Sequence, residues 1–142
     1  MSTKRIILGV LGVAVLGFLA IQFVPGYERT NPPVTQTINW SSAETEALMR
    51  RACYDCHSNE TVWPWYSNIA PVSWLVVDDV NEGRRKLNFS TGHGEMEARE
   101  LIEQIERGSM PPSKYLITHP EANLTTEEKA ALIAGIRATS FR

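Results

Sequence analysis

A chain of 142 residues, 43% apolar and 21% charged, has room for one domain of ordinary globular composition. Its 14 basic and 16 acidic residues give a net charge of −2, and Lys4 and Arg5 are the only charges before Tyr27, so the remainder is more acidic still. That balance excludes a protein that holds nucleic acid by its charge.

The N-terminus reads Lys4-Arg5 and then an apolar run from Ile6 to Val24, broken only by Gln22. At 1.5 Å rise per residue this run extends roughly 28 Å, the thickness of a bilayer's hydrocarbon core. A cleavable signal peptide has a shorter apolar stretch and a small-x-small cleavage site, whereas Phe18-Leu19-Ala20 sets a bulky ring at that place. Residues 1–26 are therefore expected to be an uncleaved anchor that meets the membrane through residues 6–24. The basic residues ahead of the span hold the N-terminus in the cytoplasm, so the rest of the chain is expected on the periplasmic side of a bacterial inner membrane, or on the outer face of the cell membrane. Residues 27–40, with Asn31-Pro32-Pro33 and no apolar period, read as a semi-extended linker.

The folded domain is expected over 41–142. Ser41 with Glu44 has the spacing of a capping box, and Ala43, Ala47, Leu48 and Ala52 follow at helical spacing, so a short helix runs into Cys53. Val62 to Ser73 is aromatic and proline-interrupted, an ordered loop, after which Ser73 is placed to cap a helix with Trp74, Val77 and Val80 on one face. Leu87-Asn88-Phe89-Ser90 leaves that helix. A third helix carries Ala98, Leu101, Ile102 and Ile105 on one stripe and stops at Gly108, and Thr125 with Glu128 caps a last helix bearing Leu132, Ile133 and Ile136. With no strand pattern of comparable length, the fold class is all-α, a small helical domain with long ordered loops behind one transmembrane helix.

Cys53-Tyr54-Asp55-Cys56-His57 is a C-x-x-C-H segment, the spacing of a c-type haem attachment site. One turn of backbone presents both sulfurs to the vinyl groups along one porphyrin edge, and the next residue brings its imidazole to the iron. Zinc would need four ligands, and only His93 and His119, on distant loops, remain to complete a site. A thioredoxin-like pair wants a βαβ context that is missing here, and a structural disulfide explains neither the adjacent histidine nor the export.

The run Cys53 to Thr61, then Trp63-Pro64-Trp65-Tyr66-Ser67, Ala70-Pro71-Val72-Ser73-Trp74-Leu75, Asp79-Val80, Gly83-Arg84, Leu87-Asn88-Phe89-Ser90 and Met110-Pro111-Pro112-Ser113-Lys114-Tyr115, resembles the bacterial haem-binding domain family related to cytochromes c. The resemblance covers most of the domain. It implies one covalently attached haem c, and from the wider class I cytochromes it carries the role of second axial ligand onto Met110, so that His57 and Met110 are the expected iron ligands.

The residues around Met110 agree with that role. The loop follows the Gly108 stop and is stiffened by two prolines, and a thioether suits low-spin iron, raising its reduction potential. The bland alternative is a methionine that packs a gap, as expected of Met49 and Met96. His93 and His119 are alternative sixth ligands, each otherwise a solvent-facing loop residue. Trp63, Trp65, Tyr66 and Trp74 are expected to be core aromatics or haem walls, with Trp65 or Tyr66 donating to a propionate and Arg84 or Arg85 as the charged partner.

The expected function is one-electron transfer without turnover of a substrate, serving redox partner proteins that the sequence does not name. Two other classes compete with it. A haem peroxidase would need an open sixth position and a distal His-Arg pair, for which no spacing is recognisable, and a gas or redox sensor would need an output domain that is not attached.

Overall fold

The computed structural model describes residues 2–94 and 97–140. The fold is all-α, as expected, with seven α-helices among the described residues: α1 Thr3–Ile21, α2 Ala43–Ala52, α3 Tyr54–His57, α4 Val72–Lys86, α5 Ala98–Glu106, α6 Ser113–Leu116 and α7 Thr126–Ala138. Strand β1, Leu87–Asn88, pairs antiparallel with β2, His93–Gly94, in the register Leu87 opposite Gly94. Helix α1 is 19 residues long, apolar after Arg5 and without a buried residue, a candidate membrane span or signal sequence.

The chain forms two compact units. One is the segment ending at Arg29 together with Trp63–Asp79; the other is Thr30–Val62 with Val80 onward. Within the first, α1 ends at the polar Gln22, and a 3-10 turn, Trp65–Asn68, follows Pro64. Helix α4 starts at Val72, directly after Pro71, so Ser73 lies inside its first turn and is not its cap. Proline fixes the backbone where a helix can begin, which makes the separate cap unnecessary.

The second unit holds the hydrophobic core, where Leu48, Met49 and Ala52 of α2, Leu101, Ile102 and Ile105 of α5, and Leu132 and Ile136 of α7 close on Tyr54, Phe89 and Leu124. The stripes expected on α5 and α7 thus face the core, with Ala98 and Ile133 only partly buried against it. Met49 is fully buried, as a gap-filling methionine should be. Helix α7 packs on both α2 and α5. At the first of these contacts a Cβ added to Gly135 would overlap the Thr45 hydroxyl, so the absent side chain lets the two helices touch.

The caps show how far local signals reach. Thr125 and Glu128 form the expected capping box, with the Glu128 amide donating to Thr125 Oγ1 at 3.2 Å and the Thr125 amide to Glu128 Oε2 at 2.8 Å. At α2 the cap falls one residue later than expected, on Ser42, whose hydroxyl accepts from the Thr45 amide at 3.1 Å. Ser41 instead donates its hydroxyl to the Gly135 carbonyl at 2.9 Å, a tertiary bond that displaces the local one. Thr125→Ala is expected to cost about 1 kcal/mol in urea denaturation, because a helix N-terminus loses its side-chain acceptor. Arg51 and then the Thr125 amide hold the Glu128 carboxyl below its ordinary value. The stabilisation from that pairing is therefore complete above the unfolded glutamate pKa and fades as the pH falls through the lower folded one.

Residues 30–40 are extended, as their prolines require, yet they do not hang free. The amides of Thr35 and Gln36 donate to the Ser90 carbonyl at 2.9 and 3.0 Å, and Asn59 Nδ2 donates to the Pro33 carbonyl at 3.0 Å. The expected tether is laid down on the second unit, because Asn59 and Ser90 offer its backbone the partners that a linker would otherwise take from water.

Candidate functional site

Helix α2 ends at Cys53, whose amide donates to the Met49 carbonyl at 2.9 Å. The Cys53 carbonyl then accepts from the Cys56 amide at 3.3 Å and the His57 amide at 2.9 Å, closing the single turn that is α3. The two cysteines are not bonded to each other, and both are half-buried. Burial, with a smaller contribution from Cys56, pushes the Cys53 thiol up to about 12.

His57 is held from both sides by Leu87-Asn88-Phe89. Its Nδ1 lies 3.1 Å from the Leu87 carbonyl oxygen, and its own carbonyl accepts from the Phe89 amide at 2.8 Å. A carbonyl partner fixes Nδ1 as the protonated nitrogen and leaves the lone pair on Nε2, the arrangement found behind ligating histidines. Burial lowers the His57 pKa, opposed by the backbone of Leu87 and Gly83, which favours the neutral imidazole a metal needs.

The turn is braced by a buried polar network. Asn88 Nδ2 donates to Asn59 Oδ1 at 2.9 Å, the Asn59 amide to Ser90 Oγ at 2.9 Å, and Ser58 Oγ to the Tyr54 carbonyl at 2.7 Å. Helix α4 reaches this turn at Gly83, where an added Cβ would overlap the Cys56 carbonyl oxygen and stand 3.0 Å from its carbonyl carbon.

Asp55, between the two cysteines, accepts from the Val62 amide at 2.9 Å and from the Tyr115 hydroxyl at 2.8 Å. Tyr115 belongs to α6, directly after Met110-Pro111-Pro112, so this bond joins the methionine segment to the cysteine turn. Burial first, and then the Asp55 carboxylate, push the Tyr115 phenol well above its usual range, keeping it a donor. Met110 is half-buried and its amide donates to the Gln104 carbonyl at 3.3 Å, past the Gly108 stop, where φ is +68°.

Other expected site residues have different surroundings. Arg84 directs its donors to protein oxygens: Nε to the Ser58 carbonyl at 2.7 Å, Nη1 to the Thr30 carbonyl at 2.8 Å, and Nη2 to Asn31 Oδ1 at 3.0 Å and Thr61 Oγ1 at 2.9 Å. These bonds tie residues 30–31 to 58–61, since a fork of five N–H groups suits several fixed carbonyls as well as it suits a carboxylate. Trp65 and Tyr66 lie in the first unit, edge to face at 5.8 Å, with Trp65 exposed; the aromatics of the core are Tyr54 and Phe89, stacked at 5.2 Å. His119 is half-buried and stacks on Tyr115 at 4.0 Å, so it is not the solvent-facing residue expected. The imidazole of His93, and Met96, lie outside the described residues.

Two thiols and a preset imidazole fit a porphyrin, which needs only axial ligands from the protein. Among the described residues no group of three or more His, Cys, Asp or Glu is arranged to hold an ion. An all-α domain with this turn defines a haem protein. The chain belongs to the haem-binding domain family, whose profile matches residues 16–138. No curated protein and no solved structure matches the chain.

Sequence reasoning missed Gly83, the Leu87 carbonyl and the Asp55–Tyr115 bond. Gly83 carried a signal, since a lone glycine inside a helix often marks a close backbone approach. Leu87 and Tyr115 stood in recognised segments but had no assigned role.

Proposed function

We propose that this haem protein is a membrane-anchored monohaem c-type cytochrome that carries single electrons on the periplasmic side of the inner membrane. The observation that carries the reading is the bond from His57 Nδ1 to the Leu87 carbonyl, which orients the imidazole as an iron ligand would need to be. Cys53 and Cys56, both reduced, would hold the porphyrin through thioether bonds to its two vinyl groups. His57 Nε2 and the Met110 thioether would ligate its iron, and the Tyr115–Asp55 bond joins the methionine segment to the cysteine turn. Bound haem supplies a ferrous/ferric couple, and the protein contributes the ligands that tune it. Lys4 and Arg5 ahead of α1 support the orientation, with the domain outside the cytoplasm.

The test is the ferric spectrum and reduction potential of the purified chain beside Met110→Leu. Wild-type protein is expected to be low-spin with a thioether-to-iron band, and Met110→Leu to lose that band and fall in potential. A wild-type spectrum that is already high-spin and binds added ligands overturns the carrier and favours a peroxidase or sensor.

A further inference from the structure

Gln22, the polar residue at the end of the apolar run, is not idle. Its side-chain amide closes a two-way bridge with Ala70, accepting from the Ala70 amide at 2.9 Å and donating to its carbonyl at 3.2 Å. The Tyr27 ring packs on Trp74 at 5.5 Å, and Arg29 hydrogen-bonds Asn68. Three contacts thus fasten Asn68–Trp74 to the residues that follow α1. If α1 spans, Gln22 marks the boundary between acyl chains and headgroups, and the bridge sets Ala70 at the same depth.

What surrounds Ala70 suits that depth. No charged residue stands between Trp63 and Val77. Trp65 is 74% exposed and Leu75 66%, and Ile69 and Val72 are exposed beside them. Four large apolar side chains are exposed within one short neutral segment, and a tryptophan with a neighbouring tyrosine is the pair enriched at bilayer interfaces.

We infer that Trp63–Val77 is a second membrane element, which lies in the outer interfacial layer of the bilayer crossed by α1 and inserts Trp65, Ile69, Val72 and Leu75 among its lipids. The inference rests on the reading of α1 as an uncleaved span. It makes the membrane contact two-part, one helix across and one segment lying flat, and each buried apolar side chain adds to the hold.

The test uses the full chain in phosphatidylcholine/phosphatidylglycerol nanodiscs, with the photocrosslinker p-benzoylphenylalanine placed singly at Trp65, Leu75, Val13 and Ile117. Val13 lies within α1, and Ile117 is an exposed apolar residue of the second unit. The expected result is lipid adducts at 13, 65 and 75 and their loss at 117. Adducts at 13 without any at 65 and 75 overturn the inference and leave the span standing. No adduct at 13 removes the span, and the inference with it. Protein–protein adducts at 65 or 75 give the segment to a second copy, and equal lipid adducts at 117 remove its distinction; each of these overturns the inference.

Discussion

Protein carrying both Cys53→Ala and Cys56→Ala is expected to lose all haem on a denaturing gel stained for haem, whereas wild-type protein exported alongside a competent maturation system keeps its colour. These are the chain's two cysteines, so no other thiol can substitute. A thioether survives denaturant because it is a covalent bond, while an axial His57 bond alone depends on the fold that the denaturant removes. Each single variant should retain colour through its remaining sulfur, more weakly than wild type. The comparison separates covalent attachment from haem binding as such, since the double variant still has His57 held by Leu87 and Phe89. A colourless wild-type band under those conditions would sink the c-type assignment.

The second large effect is expected at Gly83. Gly83→Ala sets a methyl group into the Cys56 carbonyl oxygen, and the atoms it meets are that carbonyl and the Cys56 Cβ, on a turn that also carries His57. Such atoms cannot rotate aside as a flexible side chain would. Helix α4 must withdraw, and the neighbouring Arg84, bound to the Ser58 carbonyl, is pulled with it. Overpacking of this kind costs typically about 1–3 kcal/mol or more, and the roughly 1 kcal/mol that alanine returns in helix propensity offsets only part. Urea denaturation should show net destabilisation, and Gly83→Leu should fail to accumulate as haem protein. A Gly83→Ala protein as stable as wild type would mean that the α4 backbone does not approach Cys56 as described.

Several features of this protein follow from residues close together in the chain. The capping box of Thr125 and Glu128, the stop at Gly108, the core-facing stripes of α5 and α7 and the single turn from Cys53 to His57 each relate positions within about one or two helical turns, where 3.6 residues per turn sets the geometry. The all-α class and the membership of a haem-binding family could therefore be read without coordinates.

Tertiary structure alone decided the rest. The bond that orients His57 comes from Leu87, 30 positions away, and the one that joins the methionine segment to the cysteine turn spans 60, from Tyr115 to Asp55. Ser41 gives up its expected cap for Gly135, 94 residues on, and Arg84 turns to Thr30, Asn31, Ser58 and Thr61. Which aromatics enter the core was equally hidden: Tyr54 and Phe89 are buried, while Trp65 is exposed. A side chain's chemistry states how many partners it can take, but only the packed chain determines which groups come within reach.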